Sequence, residues 1–135
     1  MLVDTDVILD LVLDDPHWAS WSQSQLEAAS LTTSLIINPV IYAELSIAYE
    51  RIEQLEAMLR SASLRIDPIP REALFLAGKA FLKYRRKKGT KSGVLPDFFI
   101  GAHAAVARIP LLTRDADRYL SYFPSVTLIS PHSSR

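Results

Sequence analysis

The 135-residue chain contains no cysteine. This excludes a thiol nucleophile, a cysteine-ligated zinc site and a disulfide scaffold, and it accords with a cytoplasmic address. Glycine is scarce, at four residues, and neither a P-loop nor a G-x-G-x-x-G turn occurs, so the two common phosphate-cradling loops are absent. No apolar run approaches the roughly 18–20 residues that span a bilayer. Asp4 and Asp6 stand where a secretory leader would carry bases, so neither export nor a membrane partner is expected. There is no internal repeat and no Gly/Ser-rich linker, and one domain over residues 1–135 is the expectation.

Net charge is also lacking, with 15 basic and 15 acidic residues, but the balance hides two unlike halves. Residues 1–67 hold 11 acids and three bases, whereas residues 68–135 hold four acids and 12 bases. Such asymmetry is a prior for a metal, a charged ligand or a nucleic acid. The rest of the composition, 49% hydrophobic and 22% charged, is that of a globular protein.

Five short apolar runs alternate with helical patterns. The runs are Met1–Asp4, Leu35–Ile37, Leu64–Ile69, Ile109–Thr113 and Val126–Ile129, with Pro68 and Pro110 expected at strand ends. Helices are expected at His17–Ala29, Pro39–Tyr49, Arg51–Ser61, Arg71–Lys88 and Phe98–Ala107, and Asp115 is a candidate N-cap for a short helix over Ala116–Tyr122. Asn38 before Pro39 reads as an N-cap, and Gly89 follows a basic last turn as a stop signal. The alternation predicts an α/β fold, a three-layer α/β/α sandwich around a mainly parallel sheet of about five strands.

Four carboxylates stand out against this frame. Ligands of open parallel sheets bind at the carboxyl ends of the strands, and Asp4 and Asp115 fall at such ends. Glu44 lies on the apolar stripe of its helix with Ile41, Leu45 and Ala48, where an unpaired charge is costly. Asp97 opens the most apolar helix of the chain. Singly, Asp97 and Asp115 read as helix caps and Asp4 as a turn residue. Together, converging carboxylates repel one another unless a cation neutralises them. Oxygen-only ligation suits Mg²⁺ or Mn²⁺. His17, His103 and His132 show no ligand spacing, and His103 reads as part of a buried helix.

Four blocks carry a family resemblance: Leu2-Val3-Asp4-Thr5-Asp6-Val7, Asn38-Pro39-Val40-Ile41-Tyr42-Ala43-Glu44-Leu45, Pro96-Asp97-Phe98-Phe99-Ile100-Gly101-Ala102-His103-Ala104 and Leu111-Leu112-Thr113-Arg114-Asp115. In this order and context they resemble the PIN-domain nucleases, and among them the VapC-type ribonuclease toxins of toxin–antitoxin pairs. The resemblance implies a cytoplasmic, Mg²⁺- or Mn²⁺-dependent endoribonuclease hydrolysing RNA phosphodiester bonds, paired with a cognate antitoxin protein and forming a homodimer. It assigns Asp4, Glu44, Asp97 and Asp115 as the acidic quartet. Asp4 and Asp97 would be the principal metal contacts, with Asp115 assisting and Glu44 positioning a water or second ion. Thr5 and Thr113 would orient carboxylates, and Asp117 matches a less regular fifth acid. Asp6 departs from the asparagine or serine often found at its position.

The stretch from Lys79 to Lys91 has no acid and includes Lys83, Arg85, Arg86, Lys87, Lys88 and Lys91. It reads either as a solvated helix end or as an RNA-binding ridge, with Tyr84 available to stack on a base and Gly89–Gly93 as a loop able to move over the site. Trp18, Trp21, Ile52, Leu55 and Leu59 read as core, or, where exposed, as a dimer face or a groove for an antitoxin peptide. Two rival readings remain. Asp4-Thr5-Asp6 also resembles the paired aspartates of haloacid-dehalogenase-type phosphatases, with Asp4 as nucleophile, and a non-catalytic PIN-fold binding module would keep the fold without turnover.

Overall fold

The computed structural model describes residues 1–87, 89 and 94–131. Among the described residues, five strands, β1 (Leu2–Val3), β2 (Leu35–Ile37), β3 (Leu64–Ile66), β4 (Leu111–Leu112) and β5 (Leu128–Ile129), form one sheet of order β3-β2-β1-β4-β5. Every pairing is parallel. Helices flank the sheet in the expected three-layer arrangement: α1 (Thr5–Val12), α2 (Ala19–Ser30), α3 (Pro39–Ser46), α4 (Ile52–Ser61), α5 (Arg71–Arg86), α6 (Leu95–Ala107) and α7 (Asp117–Leu120). The central strands are buried along their whole length, as a sheet covered on both faces requires. Pro68 lies beyond β3, and Pro110 precedes β4, where its carbonyl accepts from Leu2 N–H at 2.9 Å. Both prolines thus sit where they forfeit no ladder bond.

Helix α1 is absent from the sequence expectation. The first strand is only two residues long and passes into the helix with Asp4 alone between them, leaving no separate helical pattern to set α1 apart. Asp4 makes the transition: its backbone is extended, and its Oδ1 accepts the Thr5 N–H at 2.8 Å as an N-cap. Val7 and Ile8 then point into the core. Asn38 is the N-cap of α3, accepting from Ile41 N–H at 2.9 Å, and its Nδ2 meets Nδ1 of buried His103 at 3.2 Å. That pair fastens the start of α3 to α6. Helix α3 ends at Ser46 rather than Tyr49, and Ala48, expected on its apolar stripe, is exposed.

Helix α7 is shorter than expected and its N-cap is Ala116, with no side-chain cap bond. Asp115 is therefore not the cap of this helix. Leu55 and Leu59 are buried in the core, whereas Ile52 is exposed. Gly101 is required by close approach: a Cβ there would collide with the buried Phe123 ring.

Candidate active site

The chain leaves β1 for β2 and β3 on one side, and reaches β4 and β5 on the other. The direction of winding therefore reverses between β1 and β4, the position where open α/β sheets form a crevice at their carboxyl ends. Asp4 follows β1, and Thr113, Arg114 and Asp115 follow β4. Helix α3 contributes Glu44, and the first turn of α6 contributes Asp97.

Asp4 is 1% exposed and carries three hydrogen bonds. Besides Thr5 N–H on Oδ1, its Oδ2 accepts from Thr113 Oγ1 at 2.9 Å and from Tyr119 Oη at 2.7 Å. Burial pushes the Asp4 carboxyl up from its ordinary range, against the charge-favouring bonds from Tyr119, Thr113 and Thr5. Thr113 Oγ1 also accepts Asp115 N–H at 3.1 Å, so one hydroxyl links two of the acids. Thr5 Oγ1 donates to Glu44 Oε1. Both threonines thus orient carboxylates. Burial raises Glu44 against that bond, with the charge of Asp4 adding to the rise.

Asp97 is pushed up to about 6, first by burial and then, against the pull of Arg118, by the charges of Asp4, Glu44 and Asp115. The four acids therefore share one electrostatic environment. Arg118 provides the opposing charge: its Nε lies 3.0 Å from Asp115 Oδ2 and its Nη1 3.6 Å from Asp97 Oδ1. Asp117 is exposed at the start of α7.

Three contributors are not assigned to the acidic quartet or its supports by the sequence. Tyr119 and Arg118 come from α7, and only the i,i+3 spacing of Asp115 and Arg118 is a local signal for either. Asp6 is the third. Its carboxyl is pushed up to about 7 by burial and by Asp4, and its buried Oδ1 has no hydrogen-bond partner. Behind the crevice, buried Asp10 accepts from Ser22 Oγ at 2.8 Å and from Arg114 Nε at 3.0 Å, while the Arg114 guanidinium lies 5.6 Å from the Trp18 ring centre. This network ties the segment carrying Thr113 and Asp115 to α1 and α2.

A divalent cation fits the chemistry of this donor set: hard oxygen ligands, an excess of acids over bases, and an unpartnered carboxylate oxygen beside them. The side chains do not form a ready-made cage. Among the described residues, no group of three or more histidine, cysteine, aspartate or glutamate side chains is drawn together closely enough to hold an ion. Two of the four acids are instead turned toward Arg118.

Lys83, Arg85 and Arg86 are exposed on the last turn of α5, and Lys87 follows them. Lys88 and Lys91 of the proposed ridge, and most of the Gly89–Gly93 loop, lie outside the described residues. Arg85 lies 5.9 Å from the Phe81 ring centre and Lys87 5.9 Å from that of Tyr122. A groove of about 340 Å³ runs between Lys79, Lys83, Arg86 and Tyr122. Tyr84 does not present a free ring: it packs against Phe81, Phe98 and Tyr122. No helix among the described residues is long and apolar enough to cross a membrane.

A family model described as "PIN domain" matches residues 1–123. Among solved structures, the chain is similar to VapBC2 from Rickettsia felis bound to a promoter DNA fragment, with a TM-score of 0.71, 19% identity and 96% of each chain covered. It is also similar to a toxin–antitoxin complex from Klebsiella pneumoniae (TM-score 0.65, 21% identity, 97% of each chain). A third similar structure is VapBC-1 from nontypeable Haemophilus influenzae (TM-score 0.67, 18% identity, 96% of each chain). At these identities the likeness is one of fold. Among curated protein sequences, none matches the chain significantly.

Proposed function

Because the chain belongs to the PIN-domain family, we propose that it is a Mg²⁺- or Mn²⁺-dependent endoribonuclease, the toxin of a toxin–antitoxin pair acting in the cytoplasm. The observation that carries the reading is that Thr5, Thr113 and Arg118 link Asp4, Glu44, Asp97 and Asp115, from four separate stretches, through hydrogen bonds and ion pairs at the winding reversal of the sheet. Toxin status rests on the likeness to toxin–antitoxin structures. A homodimer and an antitoxin contact belong to the same proposal, and exposed Ile52 beside a groove lined by Tyr42, Tyr49 and Leu55 is a surface suited to such a partner.

In this reading Asp4, Asp97 and Asp115 hold the metal and Glu44 orients water. When bound, Mg²⁺ or Mn²⁺ lowers the pKa of water and neutralises charge developing on the phosphate. The chain's own residues do the positioning. Thr113 and Tyr119 fix the Asp4 carboxylate through two donated hydrogen bonds, and Thr5 fixes Glu44 through another. Burial lowers local screening, so charge placed here acts strongly on a phosphodiester. The cationic end of α5 leads toward the start of α6, where Asp97 lies, and it offers phosphate contacts along an incoming strand.

The test is cleavage of defined RNAs with Mg²⁺ or Mn²⁺, with EDTA, and with Asp4→Ala and Asp97→Ala. Loss of cleavage by at least about 100-fold is expected in EDTA and in both variants. Cleavage that persists in both variants would overturn the assignment.

A further inference from the structure

We propose that Arg118 is the protein's own counter-ion at the carboxylate crevice, and that a divalent cation gains Asp97 and Asp115 only by displacing its guanidinium. This inference rests on the metal-dependent reading above. One guanidinium spans two acids from different elements, at 3.0 Å from Asp115 and 3.6 Å from Asp97. It therefore occupies the space between them that a shared cation would need. Among the described residues, no ion pair to Asp97 or Asp115 other than that of Arg118 is formed. The lack of a preassembled group of three acids has a direct physical source here, since two carboxylates are committed to a base.

The two arginines of this region differ in how firmly they are held. Arg114 is anchored by buried Asp10 and lies over Trp18. Arg118 is 46% exposed and pairs with a 42% exposed Asp115, on a helix of four residues. Its flexible stem leads to water, so it can leave without disturbing the core. A guanidinium does not lose its proton in proteins. Vacating the site therefore requires movement, and metal affinity carries the cost of breaking two ion pairs.

The experiment is a Mn²⁺ titration of metal-free wild type, Arg118→Gln and Arg118→Lys, followed by calorimetry and by the free-ion electron paramagnetic resonance signal, without RNA. Two part-exposed ion pairs together correspond to about a tenfold change in affinity. Arg118→Gln is expected to bind Mn²⁺ about tenfold tighter than wild type. Its metal-free form is expected to melt lower, and Mn²⁺ should close that gap. Arg118→Lys, which keeps the charge but not the two-armed reach, is expected to fold as wild type and to bind Mn²⁺ with intermediate affinity. A merely structural role for Arg118 predicts the opposite sign, weaker binding when it is removed. Equal or weaker Mn²⁺ affinity in Arg118→Gln overturns the proposal, as does unchanged affinity in Arg118→Lys should the glutamine variant not fold. If wild type binds Mn²⁺ and the variants match it, only this proposal falls. If neither wild type nor variant binds Mn²⁺, the metal-dependent reading falls with it.

Discussion

Asp6→Asn is expected to stabilise the metal-free protein at neutral pH and to leave it nearly unchanged in acid. Asp6 is pushed up to about 7 by burial and by the neighbouring charge of Asp4. A carboxyl whose pKa is raised by folding contributes its full stability below its unfolded pKa, near 4, and loses it as pH rises through the folded value. The window of loss therefore runs from about pH 4 to about pH 7. At about 1.4 kcal/mol for each unit, a rise of roughly three units sets a ceiling of about 4 kcal/mol. Asp4 and Asp6 titrate as a pair, so that cost belongs to both, and neutralising one member should recover about 2 kcal/mol at pH 7.5. For a chain of this length, about 2 kcal/mol corresponds to a Tm higher by roughly 6–10 °C. The amide retains an oxygen for Thr113 Oγ1, which lies 3.4 Å from Asp6 Oδ2. Urea melts of both proteins in EDTA at pH 4.5, 6 and 7.5 provide the measurement. Titrating groups outside this pair cancel in the difference, including His103, whose pKa is lowered by burial and whose protonation works in the opposite direction. A variant no more stable than wild type at pH 7.5, or a difference that does not vary with pH, would refute the reasoning.

Tyr119→Phe removes the donor to Asp4 Oδ2 and should cost about 1.5–3 kcal/mol while Asp4 is ionised, a cost that shrinks toward acid as the carboxylate takes up a proton. Chemical denaturation across a pH series reads both the size and the pH dependence. Arg85→Glu with Arg86→Glu should weaken binding of a non-cleavable RNA and lower the slope of log affinity against log salt by about 1.4, at about 0.7 per lost phosphate contact. An unchanged salt titration would remove these residues from the RNA path. Asn38→Ala deletes the cap of α3 and the partner of buried His103, at a cost of about 2 kcal/mol in a thermal melt.

The sheet was legible because its strands are short, apolar apart from Arg65 in β3, and separated by helical patterns. Helix α1 was not, since Asp4 ends a two-residue strand and caps a helix in the same position. The acids were legible for a related reason: a carboxylate next to apolar residues is costly and therefore conspicuous, as Glu44 is beside Ile41 and Leu45. Their partners are ordinary residues made special only by folding. Thr113 and Tyr119 reach Asp4 across 109 and 115 positions of chain, and no periodicity reports a contact of that separation. Tyr84 shows the same limit in reverse, an aromatic inside a basic stretch whose ring packs with Phe98 and Tyr122 rather than offering itself to a base.

Among the described residues the crevice gathers more acids than Arg118 offsets, and burial, joined by like charge at Glu44 and Asp97, pushes the carboxyls of Asp4, Glu44 and Asp97 up. A protein selected for stability alone would replace some of these acids with amides or apolar residues. Retaining them costs folding free energy in the metal-free state, which a bound cation would return. Metal should therefore raise the melting temperature most at the pH where the acids are most fully ionised, and the benefit should shrink in acid as protons take the place of the ion. That dependence ties the stability of the fold to the chemistry proposed for its crevice.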